Sequence, residues 1–246
     1  MKNIEIHAEL FVLGAGPGDP DLITMKGYKV LQEANVILYD NLANKELLAI
    51  ARDDCEKIYV GKQPYGSYTP QETIHEMIKH YAFTKDKVVR LKGGDPFIFG
   101  RGFEEIMYAR ANGIKTHFIP GITSMQASGF EDIPLTHRLM SEGVWMITGT
   151  KKDGSLSADL RLAMQSNATV VIYMGMKQIT TIAETYIQEQ KGSTPAAIIQ
   201  NASLPHQKSA IGLVKDLPNM ALENQLTYPA IIIIGDVVSL HGQAMA

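Results

Sequence analysis

Short apolar, β-branched runs alternate with stretches of helical spacing along most of this 246-residue chain, and several runs open directly into loops rich in Gly and Pro. No other feature narrows the fold as much. A run of four or five such residues is a buried strand, and apolar positions three and four apart make the helix after it. A series of these βα units builds a largely parallel sheet covered by helices. Strands are predicted over residues 10–13, 36–39, 58–60, 88–91 and 115–119, with helices after residue 20, over 71–83 and over 104–112. A second set has strands over 144–147, 170–174, 196–199, 210–214 and 230–234, helices over 158–165 and 179–190, and less helix towards its end. The expected fold is α/β with two lobes. Residues 1–142 carry a mainly parallel sheet with helices, and residues 143–246 a mixed, more antiparallel one, the boundary falling where polar residues and Gly interrupt the pattern between Arg138 and Gly143.

Charge excludes several functions. Lys and Arg number 23 against 26 Asp and Glu, and neither half has a marked excess of one sign, so no nucleic-acid partner is expected. The single cysteine, Cys55, cannot build a disulfide framework or a thiolate zinc site and fits a reducing compartment. Glu5 and Glu9 interrupt what a signal peptide needs, and apolar runs such as 230–234 are too short to span a bilayer. A cytoplasmic protein with no membrane partner is expected. His137 has no second His or Cys at ligand spacing and no G-x-S-x-G is present, so neither a metal site nor acyl transfer is expected.

Two glycine-rich loops carry the functional signal. Gly14-Ala15-Gly16-Pro17-Gly18-Asp19 lies between a strand and a helix but is not a dinucleotide fingerprint: position 19 would have to be Gly, and Pro17 removes a backbone donor. The densest patch is Arg90-Leu91-Lys92-Gly93-Gly94-Asp95-Pro96-Phe97-Ile98-Phe99-Gly100-Arg101-Gly102. Its glycines would let backbone approach a ligand at the carboxyl end of a parallel strand. Arg90, Lys92 and Arg101 outnumber Asp95, which predicts an anionic partner there. Arg101 and Glu104 are i, i+3 neighbours at a helix start, where the macrodipole also favours Glu104 and Glu105. Asp95 has two readings, a ligand acceptor or a turn stabiliser ahead of Pro96, and the first is favoured because Gly93 and Gly94 expose backbone beside it.

Taken in order, these stretches resemble the tetrapyrrole methylases, and within them the branch that acts on uroporphyrinogen III. The resemblance adds Ile37-Leu38-Tyr39-Asp40, Gly61-Lys62, Pro120-Gly121-Ile122-Thr123-Ser124, Pro134-Leu135-Thr136-His137-Arg138, Tyr173-Met174-Gly175 and Pro229-Ala230-Ile231, and covers roughly residues 9 to 238. It implies a two-lobed tetrapyrrole methylase fold, a homodimer, and an active site in the cleft between lobes. The implied reaction is S-adenosyl-L-methionine-dependent C-methylation of uroporphyrinogen III at two ring carbons. Precorrin-2 would form via precorrin-1, with S-adenosyl-L-homocysteine as the by-product, for cobalamin or sirohaem biosynthesis. A later corrin precursor is the alternative acceptor. Carried onto matching positions, the implied cofactor contacts are Pro17, Gly93, Gly94, Asp95, Ile98, Thr123, Ser124, Met174, Ala202 and Ala230. Arg101, Glu104 and Arg138 match residues of substrate handling and catalysis, with Glu104 the candidate base. The chain departs from the family at Thr148-Gly149-Thr150, at Phe103 and over Gln63-Pro64-Tyr65-Gly66-Ser67-Tyr68. A sulfonium donor needs neither nucleophile nor metal from the protein, only alignment and exclusion of water.

Overall fold

Gly and Pro punctuate the chain at the strand ends, and the strands fall between them as the alternation predicts. A computed structural model describes residues 7–61 and 69–242; Glu5, Lys62 and the divergent stretch 63–68 lie outside the described residues. The chain divides into two compact units, Met1–Thr123 and Ser124–Ala246.

The first unit contains β1 (Glu9–Gly14), β2 (Val36–Tyr39), β3 (Glu56–Tyr59), β4 (Lys87–Lys92) and β5 (Lys115–Ile119), all parallel, in the order β3-β2-β4-β1-β5. Helices α1 (Met25–Glu33), α2 (Gln71–Lys85) and α3 (Gly102–Ala111) connect them, with a 3-10 segment at Lys45–Ile50. Thr24 caps α1, its hydroxyl accepting from the Gly27 N–H at 3.1 Å. Alternation along each strand sorts the core. Leu10, Val12, Val36, Leu38 and Val88 pack with Ile74, Ile78, Ile106 and Ala109 of α2 and α3. Leu13, Ile37, Val89, Leu91 and Ile119 pack on the other face with Leu31 and Leu47. Both faces are covered, which is why β1 and β2 carry unbroken apolar runs.

The second unit contains β6 (Val144–Thr148), β7 (Thr169–Tyr173), β8 (Pro195–Gln200), β9 (Lys208–Leu213) and β10 (Ala230–Ile234), in the order β6-β7-β10-β8-β9. Only β6–β7 is parallel, so the sheet is mixed, as expected. α4 (Asp159–Ala163), α5 (Ile179–Gln188) and α6 (Leu217–Glu223) cover one face, over Ile172, Ile198 and Ile232. α6 is not predicted from sequence because Pro218 reads as a breaker; it sits in the first turn, where Pro costs no internal hydrogen bond. On the other face Ala127 and Ile133 pack against Ala197, Ile199, Ile231 and Ile233. That packing draws residues 124–142 into the second unit, so the division falls at Thr123/Ser124 rather than at 142/143. Among the described residues, no helix is long and apolar enough to cross a membrane.

Candidate active site

In the first unit, neighbouring strands β4, β1 and β5 deliver three loops to the carboxyl edge of the sheet, where open parallel sheets bind ligands. The loops meet through backbone. Gly94 N–H donates to Gly16 O at 2.7 Å, Gly16 N–H donates back to Gly94 O at 3.2 Å, and Ala15 N–H donates to Lys92 O at 2.7 Å. A Cβ added at Gly14 would lie 2.5 Å from Gly121 Cα and 2.6 Å from Gly94 O, and one added at Gly121 would run into Gly94 O. A Cβ at Gly93 would lie 2.6 Å from Leu42 Cβ. These glycines therefore serve close packing of the chain on itself.

Asp95 is part of the same junction. Its Oδ1 accepts from Phe97 N–H at 2.8 Å and its Oδ2 from Gly121 N–H at 3.1 Å, tying the β4 loop to the β5 loop. Asp19 makes the matching turn, accepting from Asp21 N–H at 2.9 Å, so the repeated Gly-Asp-Pro is a piece of local turn chemistry. Pro17, Gly93, Gly94, Asp95, Ile98 and Thr123 all sit on these three loops.

Arg101 and Glu104 stand at the rim. Arg101 has a left-handed backbone (φ 59°) leading into α3; its Nη2 lies 2.5 Å from Glu104 Oε2, and its Nε donates to both oxygens at 3.1 Å. The side chains are 47% and 52% exposed, so the pair adds little stability and serves to orient. The hydrogen bond from Arg101 holds the Glu104 carboxyl below its ordinary value of 4.5, leaving it ionised at neutral pH. Beside them Phe97 stacks on Phe118 (centroids 3.9 Å apart) and meets Phe103 edge-on at 5.8 Å, a partly exposed aromatic shelf.

Arg90 and Lys92 do not join that rim, against the expectation of a local anion site. Strand alternation turns them, like Val88, towards α2 and α3, where both are buried. Glu105, fully buried in the first turn of α3, accepts through Oε1 from Arg90 Nε (3.2 Å), Lys92 Nζ (3.0 Å) and Gln71 Nε2 (3.1 Å). Arg90 Nη2 donates to Asp40 Oδ2 at 2.9 Å, and its Nη1 to the carbonyls of Leu38 and Leu91. Glu105 Oε2 is buried with no hydrogen-bond partner among the described residues; an unpaired buried acceptor costs about 1–3 kcal/mol. Burial works against both cations. For Arg90 the carboxylates of Glu105 and Asp40 more than offset it and its pKa rises. For Lys92 burial and neighbouring Arg90 prevail, and its pKa falls. Sequence reading missed this cluster. The available signal was Arg-x-Lys in period two within a strand otherwise buried on both faces.

In the second unit four residues gather at one end of the sheet. Met174 follows β7 with φ 55°, Ala202 follows β8, and Ala230 opens β10, whose Ile231 pairs with Tyr173. Ser124 joins them because the next residue, Met125, donates its N–H to the Tyr173 hydroxyl at 2.8 Å. Asn201 (φ 51°) and Ser203 (φ 67°) are left-handed at the same end; such non-Gly conformations concentrate at ligand sites. Arg138 is not in this group. It lies in the turn closed by His137 and Ser141, and Ser141 Oγ accepts from Thr169 N–H at the start of β7. At about 3.3 Å per residue the two ends of that strand are roughly 15 Å apart. Arg138 instead borders an open hollow of about 530 Å³ with Glu142 and Asn167.

Comparison with known proteins gives the family. A family model described as Tetrapyrrole (Corrin/Porphyrin) Methylases matches residues 9–218. A siroheme synthase of Psychrobacter arcticus is 41% identical over 235 residues, covering 95% of this chain and 43% of that protein. The chain spans about half the length of the curated relatives it matches. Among solved structures, a uroporphyrin-III C-methyl transferase from Thermus thermophilus complexed with S-adenyl homocysteine is similar at 35% identity with a TM-score of 0.81, covering 94% of this chain and 99% of that one. A cobalt precorrin-4 methyltransferase is similar at 26% identity with a TM-score of 0.84, covering 94% and 96%.

Proposed function

Because the chain belongs to the tetrapyrrole methylases, we propose that it transfers methyl groups from S-adenosylmethionine to two ring carbons of uroporphyrinogen III, giving precorrin-2 by way of precorrin-1. The observation that carries this reading is the end-to-end similarity to the Thermus thermophilus uroporphyrin-III enzyme. The match to a cobalt precorrin-4 methyltransferase favours a second reading, a later corrin precursor as acceptor, and its lower identity ranks it behind.

The first-unit loops fit such a donor. Three glycines bring bare main chain to one edge, and Asp95 presents carboxylate lone pairs beyond the two it commits to Phe97 and Gly121. Pro17, Gly93, Gly94, Asp95, Ile98 and Thr123 would hold it there, and Ser124, Met174, Ala202 and Ala230 are assigned to it from the second unit. When bound, the sulfonium supplies an electrophilic methyl group. The protein then has to orient the acceptor carbon, keep water out and take up the proton that the methylated carbon releases. Glu104, ionised and oriented by Arg101, is suited to that last task, since the cationic ring is a strong acid and a weak base suffices. The guanidinium group of Arg101 suits the acetate and propionate fringe of the macrocycle, and the Phe97–Phe118 shelf suits the flat face. Arg138 is assigned to that fringe by the resemblance alone, since it lies at the other end of β7 from Met174.

Anaerobic incubation with uroporphyrinogen III and S-adenosylmethionine, followed by mass analysis, should show two added methyl groups. Turnover of a later precorrin alone would install the second reading. Arg101→Ala and Arg138→Ala should each lower kcat/KM roughly 10- to 100-fold, the value of a charge-assisted hydrogen bond, while S-adenosylhomocysteine still binds in a calorimetric titration. Full turnover in either variant removes that residue from substrate handling. Glu104→Gln should slow turnover about 10²-fold or more; an unchanged rate means another group removes the proton. The homodimer implied by the resemblance is read by sedimentation equilibrium.

A further inference from the structure

We propose that Glu105 is a positioning residue for methyl transfer, locking Lys92 and Arg90 so that the glycine loop after β4 and the first turn of α3 hold one geometry. The proposal rests on the methyltransferase reading. Its basis is a single carboxylate oxygen shared by three donors from two elements: Arg90 and Lys92 from β4, and Gln71 from the start of α2. Through Arg90 the lock extends to Asp40 and the carbonyl of Leu38 at the end of β2. Lys92 is the last residue of β4 before Gly93, and its carbonyl accepts from Ala15 N–H of the first glycine loop. Glu105 is next to Glu104 on α3. One buried anion thus sets the strand end, both glycine loops and the helix that carries the rim pair. A carboxylate kept for stability alone has no need of an unpaired second oxygen. An apolar side chain of similar volume can fill such a site with equal or greater stability.

The groups that set the Lys92 charge are Glu105 and Glu104 on α3, Arg90 beside it on β4 and Asp40 after β2; His75 on α2 also acts on Glu104. Removing the Glu105 charge deprives the ammonium of its contacting anion, so Lys92 must titrate at lower pH. In Glu105→Gln, kcat should fall at least about tenfold with KM for both substrates within about threefold, and the alkaline limb of the pH profile should move down by about one unit. Lys92→Met should lose kcat likewise, and adding Glu105→Gln to it should move the alkaline limb no further. Nitrogen-15 NMR of Lys Nζ, with Lys92→Met to assign the signal, should show the Lys92 titration displaced downward in Glu105→Gln. Folded variants with kcat within about threefold of wild type, or an unmoved Lys92 titration, would overturn the proposal. If Glu105→Gln does not fold, Lys92→Met decides by the same kcat criterion. A wild-type chain that transfers no methyl group overturns the functional reading instead, and the Lys92 titration still tells whether Glu105 governs that ammonium.

Discussion

Replacing Glu105 by Ala should lower the unfolding free energy by about 3–5 kcal/mol, the usual cost of stranding one side of a buried ion pair. The carboxylate is fully buried, and its removal leaves Lys92 and Gln71 without the acceptor they share and Arg90 with Asp40 alone as counterion. Water cannot substitute readily, because both cations are themselves buried. For a chain of this size the loss corresponds to a fall in Tm on the order of 10 °C, read by circular dichroism or urea titration. Glu189→Ala is the contrast. It deletes the same chemical group from a half-exposed pair with Arg161 and should change stability by less than about 1 kcal/mol. Equal effects of the two substitutions would mean that Glu105 is not the shared acceptor.

Gly121→Ala should weaken donor binding at least about tenfold while leaving a folded chain. The new Cβ meets Gly94 O and the backbone of Gly14, neither of which can rotate away as a side-chain tip could. Relief requires the β4 loop to shift, and that loop carries Asp95, whose Oδ2 takes the Gly121 N–H. Overpacking of this kind costs about 1–3 kcal/mol in stability. Displacement of the loop should raise the Kd for S-adenosylhomocysteine at least about tenfold, since geometry of about an ångström decides such contacts. Gly129→Ala, where an added Cβ meets nothing within 4 Å, should leave both quantities unchanged. A Gly121→Ala variant with wild-type affinity would remove the junction from the binding site.

Much of the fold is legible in the sequence because strands covered on both faces leave unbroken apolar runs, as 36–39 and 230–234 do. Where the chain departs from that rule it becomes hard to read. α6 hides behind Pro218, and the 3-10 stretches at Lys45–Ile50 and Ser124–Glu131 are too irregular to leave a period. The site is legible by motif more than by physics. Asp95 reads in sequence as a ligand acceptor ahead of a turn stabiliser, and the structure shows that it also makes the turn and a tie to Gly121. Arg90 and Lys92 look like ligand-facing cations because they lead into Gly93 and Gly94. Their partners lie far along the chain or on another element, at Asp40, Gln71 and Glu105, and only the alternation of β4 points towards them.

The Gly14–Gly94–Gly121 junction has a bearing on how such a protein can diversify. It is made of main chain, so no exchange of side chains elsewhere can retune it, and almost any change within it does harm. An engineer seeking a broader acceptor range has little to work with there. Phe97, Phe103 and Arg101, which are exposed and packed less tightly, are the positions where new preferences can be written without disturbing that junction.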